Sequence, residues 1–121
     1  MLAEHELDRR EHLRVRPSFL TPVVFEWDGR DYRIMDISRG GFSFVNQVPL
    51  DNGWQLLGCL RLPQEDLPME VKVVVVGNSE EGLVRCMIEE ISPANLEILS
   101  HYIRDRSKEL TSLFFKELAQ P

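Results

Sequence analysis

Cysteine is scarce in this chain: Cys59 and Cys86 are the two in 121 residues. They lack CxxC spacing and are too few for a disulfide framework. Each falls in an apparent strand and reads as a small packed hydrophobe. His5, His12 and His101 are scattered without the spacing of metal ligands, so no metal site is expected. Long apolar runs are missing as well. The longest aliphatic run, Val73 to Val76, falls far short of the roughly 20 residues a bilayer span needs. Glu4, Glu6 and Asp8 are wrong for the basic start of a signal peptide. The expectation is a cytoplasmic protein without membrane insertion. An excess of positive charge is also absent: 14 Lys and Arg face 20 Asp and Glu, for a net charge of −6. Binding DNA or RNA rests on phosphate neutralisation by a basic surface, so neither is an expected partner.

Catalytic signatures are equally thin. There is no nucleophile elbow, no Walker loop and no paired His and Cys. Glu80-Glu81 and Glu89-Glu90 are adjacent pairs, and neighbours on a strand point to opposite faces. Neither makes a carboxylate dyad, and no enzyme is expected. No internal repeat or low-complexity segment occurs.

What is present is unevenly placed. Arg9, Arg10, Arg14 and Arg16 lie within eight residues, opposed only by Glu11. An acidic chain with one arginine-dense arm points to a small anionic ligand rather than a polymer. The second feature is Asp36-Ile37-Ser38-Arg39-Gly40-Gly41, read as a strand end, a tight turn and the next strand. On a strand Asp36 and Ser38 share a face. Gly40 and Gly41 permit positive φ and leave room for close approach. Arm and turn together read as two halves of one anion-binding site. Alone, the arm would be a solvated terminus and the turn an ordinary β-turn.

Strand-like segments follow in series. The first is about Phe19 to Trp27, with Phe19, Val23, Phe25 and Trp27 on one face and Pro22 marking an edge or bulge. Asp28-Gly29 is a hairpin signal, and the return strand runs from Arg30 to Ser38. Phe42 and Phe44 open a third strand. Trp54 to Leu62 is the fourth, with Trp54, Leu56, Leu60 and Leu62 on one side. Met69 to Gly77 is the fifth: Met69, Val71, Val73 and Val75 face one way, Glu70 and Lys72 the other, and the consecutive valines point to burial on both faces near its end. Leu83 to Ile91 is the sixth. Ser92 then caps a helix with Pro93 at its first position. Leu96, Leu99, Ile103, Leu110, Phe114 and Leu118 continue at helical spacing. The polar run Arg104 to Lys108 leaves two options, one long helix or two with a break. Six short strands and a terminal helix predict a mainly β chain, an antiparallel barrel capped by that helix. The divisions are a flexible arm over 1–16, the barrel over 17–92 and a helical segment over 93–121.

Arg10-x-x-x-Arg14 followed by Asp36-x-Ser38-x-x-Gly41 resembles the paired signature of the PilZ domain. The resemblance covers roughly residues 7 to 104. It implies a six-stranded β-barrel that binds the bacterial second messenger cyclic di-GMP, with no cofactor. By the same resemblance the ligand contacts would be Arg9, Arg10, Arg14, Asp36, Ser38, Gly40 and Gly41. It implies an adaptor role toward an effector protein in motility, pilus or exopolysaccharide control. The alternatives are a PilZ-like interaction module without nucleotide affinity and a ligand-binding barrel of another lineage. Leu110, Leu113, Phe114, Phe115 and Leu118 offer a candidate docking or self-association surface.

Overall fold

Asp28 and Gly29 both take positive φ, 53° and 73°, the backbone pattern of a two-residue hairpin link. They join β1 (Val24–Trp27) to β2 (Arg30–Ile37). The computed structural model describes residues 13–119. β3 (Gly41–Val45), β4 (Gln55–Arg61), β5 (Met69–Asn78) and β6 (Leu83–Ile91) follow. The strands close into a barrel in the order β1-β2-β3-β6-β5-β4, and every pairing is antiparallel. The expected six-stranded antiparallel barrel is therefore what forms.

The interior follows the period of two that strands impose. On β5, Met69, Val71, Val73 and Val75 are buried, while Val76 is 51% exposed. The alternation is the one expected; burial on both faces was expected only near the end of the strand, and there Val76 turns outward. The centre holds Phe25, Phe42 and Phe44, with the Phe25 ring 4.9 Å from Phe42 and 5.7 Å from Phe44. Cys86 lies among these residues, as expected of a small packed hydrophobe. Burial pushes its thiol pKa up to about 12, so it stays protonated and unreactive at neutral pH.

Two strand boundaries differ from the expectation. β1 begins at Val24, and Phe19 is 80% exposed instead of sharing the core face with Val23 and Phe25. Its ring lies under the Arg33 guanidinium, 4.7 Å from the ring centre, and its carbonyl accepts a hydrogen bond from Arg33 at 3.2 Å. Pro22 lacks the N–H a continuing ladder would need. Trp54 lies just before β4, where its N–H donates to the Asp51 carbonyl at 3.1 Å. A turn thus lifts Trp54 off the inward face that Leu56, Leu60 and Leu62 occupy.

α1 (Pro93–Ala119) is one unbroken helix, which resolves the two options for the segment. Ser92 Oγ accepts from the Asn95 N–H at 3.1 Å, the N-cap bond its position predicts. Leu99 and Ile103 are buried against the barrel. Leu113, Phe114, Phe115 and Leu118 extend past it and are more than half exposed. No described helix is long and apolar enough to cross a membrane.

Candidate ligand-binding site

The leading segment is tied to the barrel sooner than its charge indicates. Val15 is buried, and its N–H and carbonyl each bond to Ile37 at 2.9 Å. This antiparallel bridge sets Arg14 next to the end of β2. One residue on, the Arg106 side chain donates to the Arg16 carbonyl at 2.8 Å. The root of the arm is thus held by the barrel wall and by α1. Of the anticipated arm residues, Arg14 is described here; Arg9 and Arg10 lie outside the described residues.

Arg14 Nε stands 3.4 Å from Asp36 Oδ1, so the arm and turn meet as expected. A β-bulge places the carboxylate. The β2–β3 register shifts between Ile34 and Asp36, which pairs Asp36 with Ser43. The unpaired residue re-aims the one that follows it. Ser43 Oγ then donates to Asp36 Oδ2 at 2.6 Å, a short charge-assisted bond. Ser43 is 1% exposed, so the carboxylate is held from beneath by a buried hydroxyl and from the side by a guanidinium. Sequence reasoning missed Ser43. An inward–outward count puts it on the outer face of β3, because Phe42 and Phe44 point into the core.

Ser38 plays a different part from the one expected. Its hydroxyl donates to the Gly41 carbonyl at 3.4 Å and accepts from the Gly40 N–H at 3.1 Å. Its backbone N–H also bonds to the Gly41 carbonyl at 2.8 Å. Ser38 is buried and builds the turn instead of offering a free hydroxyl beside Asp36. Gly41 does not use positive φ. Its role is close approach: a Cβ there would collide with the Cys86 carbonyl oxygen on β6. Gly40 accepts from the Ile88 N–H at 2.8 Å, which pins the turn to the same strand.

These contacts frame an open groove of about 650 Å³, lined by Arg14, Ser38, Gly40, Gly41 and by Cys86, Met87 and Ile88 of β6. Its floor is glycine backbone and apolar side chains, and its rim carries the guanidinium. A flat base fits such a floor, and an anion fits the rim. Asp36 stands behind Arg14 as its partner. Beside it a second groove of about 490 Å³ is lined by Leu13, Arg39 and Arg104 among others. Two further guanidiniums thus flank the site. Arg39 lies inside the motif and Arg104 in the polar run of α1, but nothing in their spacing announces that they line one groove. No cluster of possible metal ligands occurs among the described residues.

The PilZ domain profile matches residues 8–105. The chain belongs to the PilZ domain family. PilZ domains are non-enzymatic receptor domains of cyclic di-GMP signalling. Over 115 residues, 90% of its length, the chain is 28% identical to the alginate biosynthesis protein Alg44 of Pseudomonas putida. It spans 30% of that relative's length. The barrel superposes on the PilZ domain of Escherichia coli YcgR solved with c-di-GMP, with a TM-score of 0.64 and 15% identity. That match covers 89% of this chain and 98% of the other. It also superposes on the Bacillus subtilis inhibitor of motility MotI, with a TM-score of 0.66 and 22% identity over 84% of this chain and 52% of that one. At these identities the superpositions establish a shared PilZ fold.

Because Ser43 orients the Asp36 carboxylate, Ser43→Ala is expected to cost about 1.5–3 kcal/mol of stability, the range for a hydrogen bond to a charged group. Urea denaturation measures this, with the slope of the transition unchanged.

Proposed function

We propose that this PilZ domain binds cyclic di-GMP at the Arg14 and Asp36 groove and acts as a ligand-switched adaptor for an effector protein. The observation that carries the reading is the Arg14–Asp36 contact at 3.4 Å on the rim of a groove floored by Gly40 and Gly41. The ligand has two phosphates and two guanines. A guanidinium fork can grip phosphate oxygens or the O6 and N7 edge of guanine, and its plane can stack on a purine. Asp36 can accept from guanine N1–H and N2–H or orient Arg14. Ser38, Gly40 and Gly41 shape the floor.

The Arg14–Asp36 pair is easily rearranged. The Arg14 side chain is 52% exposed and that of Asp36 24%, and such pairs contribute only about 0.2–1 kcal/mol. A charge-assisted bond to the ligand contributes about 1.5–3 kcal/mol, so exchange of partners favours the complex. Arg10 precedes Arg14 by four residues, which confines its Cα to within about 14 Å of the Arg14 Cα. Arg9 and Arg10 can therefore supply further contacts to a ligand at the rim. In the switch, bound ligand provides the counter-charge that draws this arginine-rich segment across the groove and creates a new surface for the effector. A cytoplasmic location goes with this role.

Calorimetric titration of the full chain with cyclic di-GMP tests the reading. Binding in the micromolar range or tighter is the expected result. Absence of heat, together with absence of competition in a fluorescent-nucleotide assay, would move the chain to the protein-interaction reading.

A further inference from the structure

The end of the barrel away from the Ser38–Gly41 turn carries a set of side chains that nucleotide binding leaves unused. β2 runs from Arg30 at that end to Ile37 at the turn. Around its start lies a pocket of about 430 Å³, lined by Trp27, Tyr32 and Trp54 with Asp28, Asp51 and Arg30. The aromatic rings form a continuous wall. Trp27 and Tyr32 are 6.0 Å apart between ring centres, and Trp27 meets Trp54 at 6.5 Å with planes inclined by 73°. Trp54 is 52% exposed, so the wall is open to an incoming group.

The pocket is held in shape by its backbone. Asn78 clamps the loop before β4, accepting from the Leu50 N–H at 3.0 Å and donating to the Leu50 carbonyl at 2.6 Å. The Gly53 N–H donates to the Val75 carbonyl at 2.7 Å, and the Val75 N–H donates to the Trp54 carbonyl at 2.9 Å. A preformed site loses little conformational freedom on binding. Among the described residues, neither the Asp28 nor the Asp51 side chain has an ion-pair or hydrogen-bond partner. Two carboxylates outnumber the single guanidinium of Arg30, so the pocket is acidic, as is the chain at a net charge of −6.

Aromatic faces attract cations through their quadrupole, and carboxylates accept the N–H bonds such a cation carries. We propose that this pocket receives an arginine side chain of a partner protein, its guanidinium against the Trp27 and Trp54 rings and bonded to Asp28 or Asp51. Arginine fits better than lysine because its plane stacks while its edge pairs with a carboxylate. The site is independent of nucleotide binding at the opposite end.

Both tryptophans of the chain line this pocket, so intrinsic fluorescence reports on it directly. The full chain, without nucleotide, is titrated with the capped peptide acetyl-Gly-Arg-Gly-amide and with its citrulline counterpart, which keeps the shape and loses the charge. A saturable change in tryptophan emission is expected with the arginine peptide, and about tenfold weaker binding with citrulline. The double variant Asp28→Asn, Asp51→Asn is isosteric, and asparagine tolerates the positive φ at position 28. It should bind the arginine peptide about tenfold more weakly. Arg30→Gln, which removes the competing cation, should bind it more tightly. No saturable change, equal affinity for the citrulline peptide, or full retention by the double variant would overturn the assignment. Omitting nucleotide keeps this outcome separate from success or failure at the Arg14 groove.

Discussion

Arg14→Ala is expected to weaken cyclic di-GMP binding by about 100-fold, on the basis of roughly 1.5–3 kcal/mol for each charged hydrogen bond the guanidinium would make. The same change should hardly affect folding. Its one described ion pair is to Asp36, and the Arg14 side chain is 52% exposed, so the fold should lose no more than about 1 kcal/mol. The anchoring of the segment does not depend on this side chain, because Val15 makes its two bonds to Ile37 through the backbone. Affinity and stability therefore separate in one variant. Arg14→Lys sharpens the test. It keeps the charge and loses the fork, and should still bind about tenfold more weakly than the native chain. Titration calorimetry with a thermal melt of each variant reads both quantities. Native affinity in Arg14→Ala would remove this residue from the site.

Phe44→Ala should be the most destabilising of these changes, by about 3–5 kcal/mol. Phe44 is fully buried, and its ring centre lies 4.9 Å from that of Tyr32 and 5.7 Å from that of Phe25. Small domains have about 5–15 kcal/mol in hand, so the variant would be marginal at room temperature. Its urea midpoint should fall steeply while the dependence on urea concentration stays the same. A loss below about 1 kcal/mol would mean that the barrel centre collapses around the gap, contrary to the behaviour of close-packed interiors.

Much of the architecture could be read from alternation and turn chemistry. Met69, Val71, Val73 and Val75 mark a face of β5, Asp28-Gly29 marks a hairpin, and Ser92-Pro93 marks a helix start. Each is a local signal, and each is where the structure puts it. The signals that failed were overridden by contacts that a strand's period does not encode. Phe19 was expected on one strand face with Val23, Phe25 and Trp27, but it lies before β1 and Arg33 holds it outside. Trp54 was in phase with Leu56, but the turn from Asp51 ends the phase before β4 begins.

The site divides along the same line. The closeness of Arg14 to Asp36 was foreseen from two motifs. The means of placing them was not. The bulge at β2 is invisible to a two-residue count because it breaks that count, and Ser43 gains its role only through the shifted register. Ser38 shows the reverse case. Its position was anticipated, but its hydroxyl is spent on the turn that Gly40 and Gly41 complete.

The order of strands around the barrel has a kinetic side. β2 and β3 are neighbours in sequence and can pair early, whereas β3 meets β6 and β1 meets β4 across long stretches of chain. Such distant pairings slow folding, because loop closure must precede the contacts that reward it. The groove at Arg14 takes its floor from both Gly41 and Met87, which come together only when β3 and β6 zip up. A nascent chain released with the hairpin formed but the ring unclosed would carry the Asp36 to Gly41 turn and still lack the groove beside it.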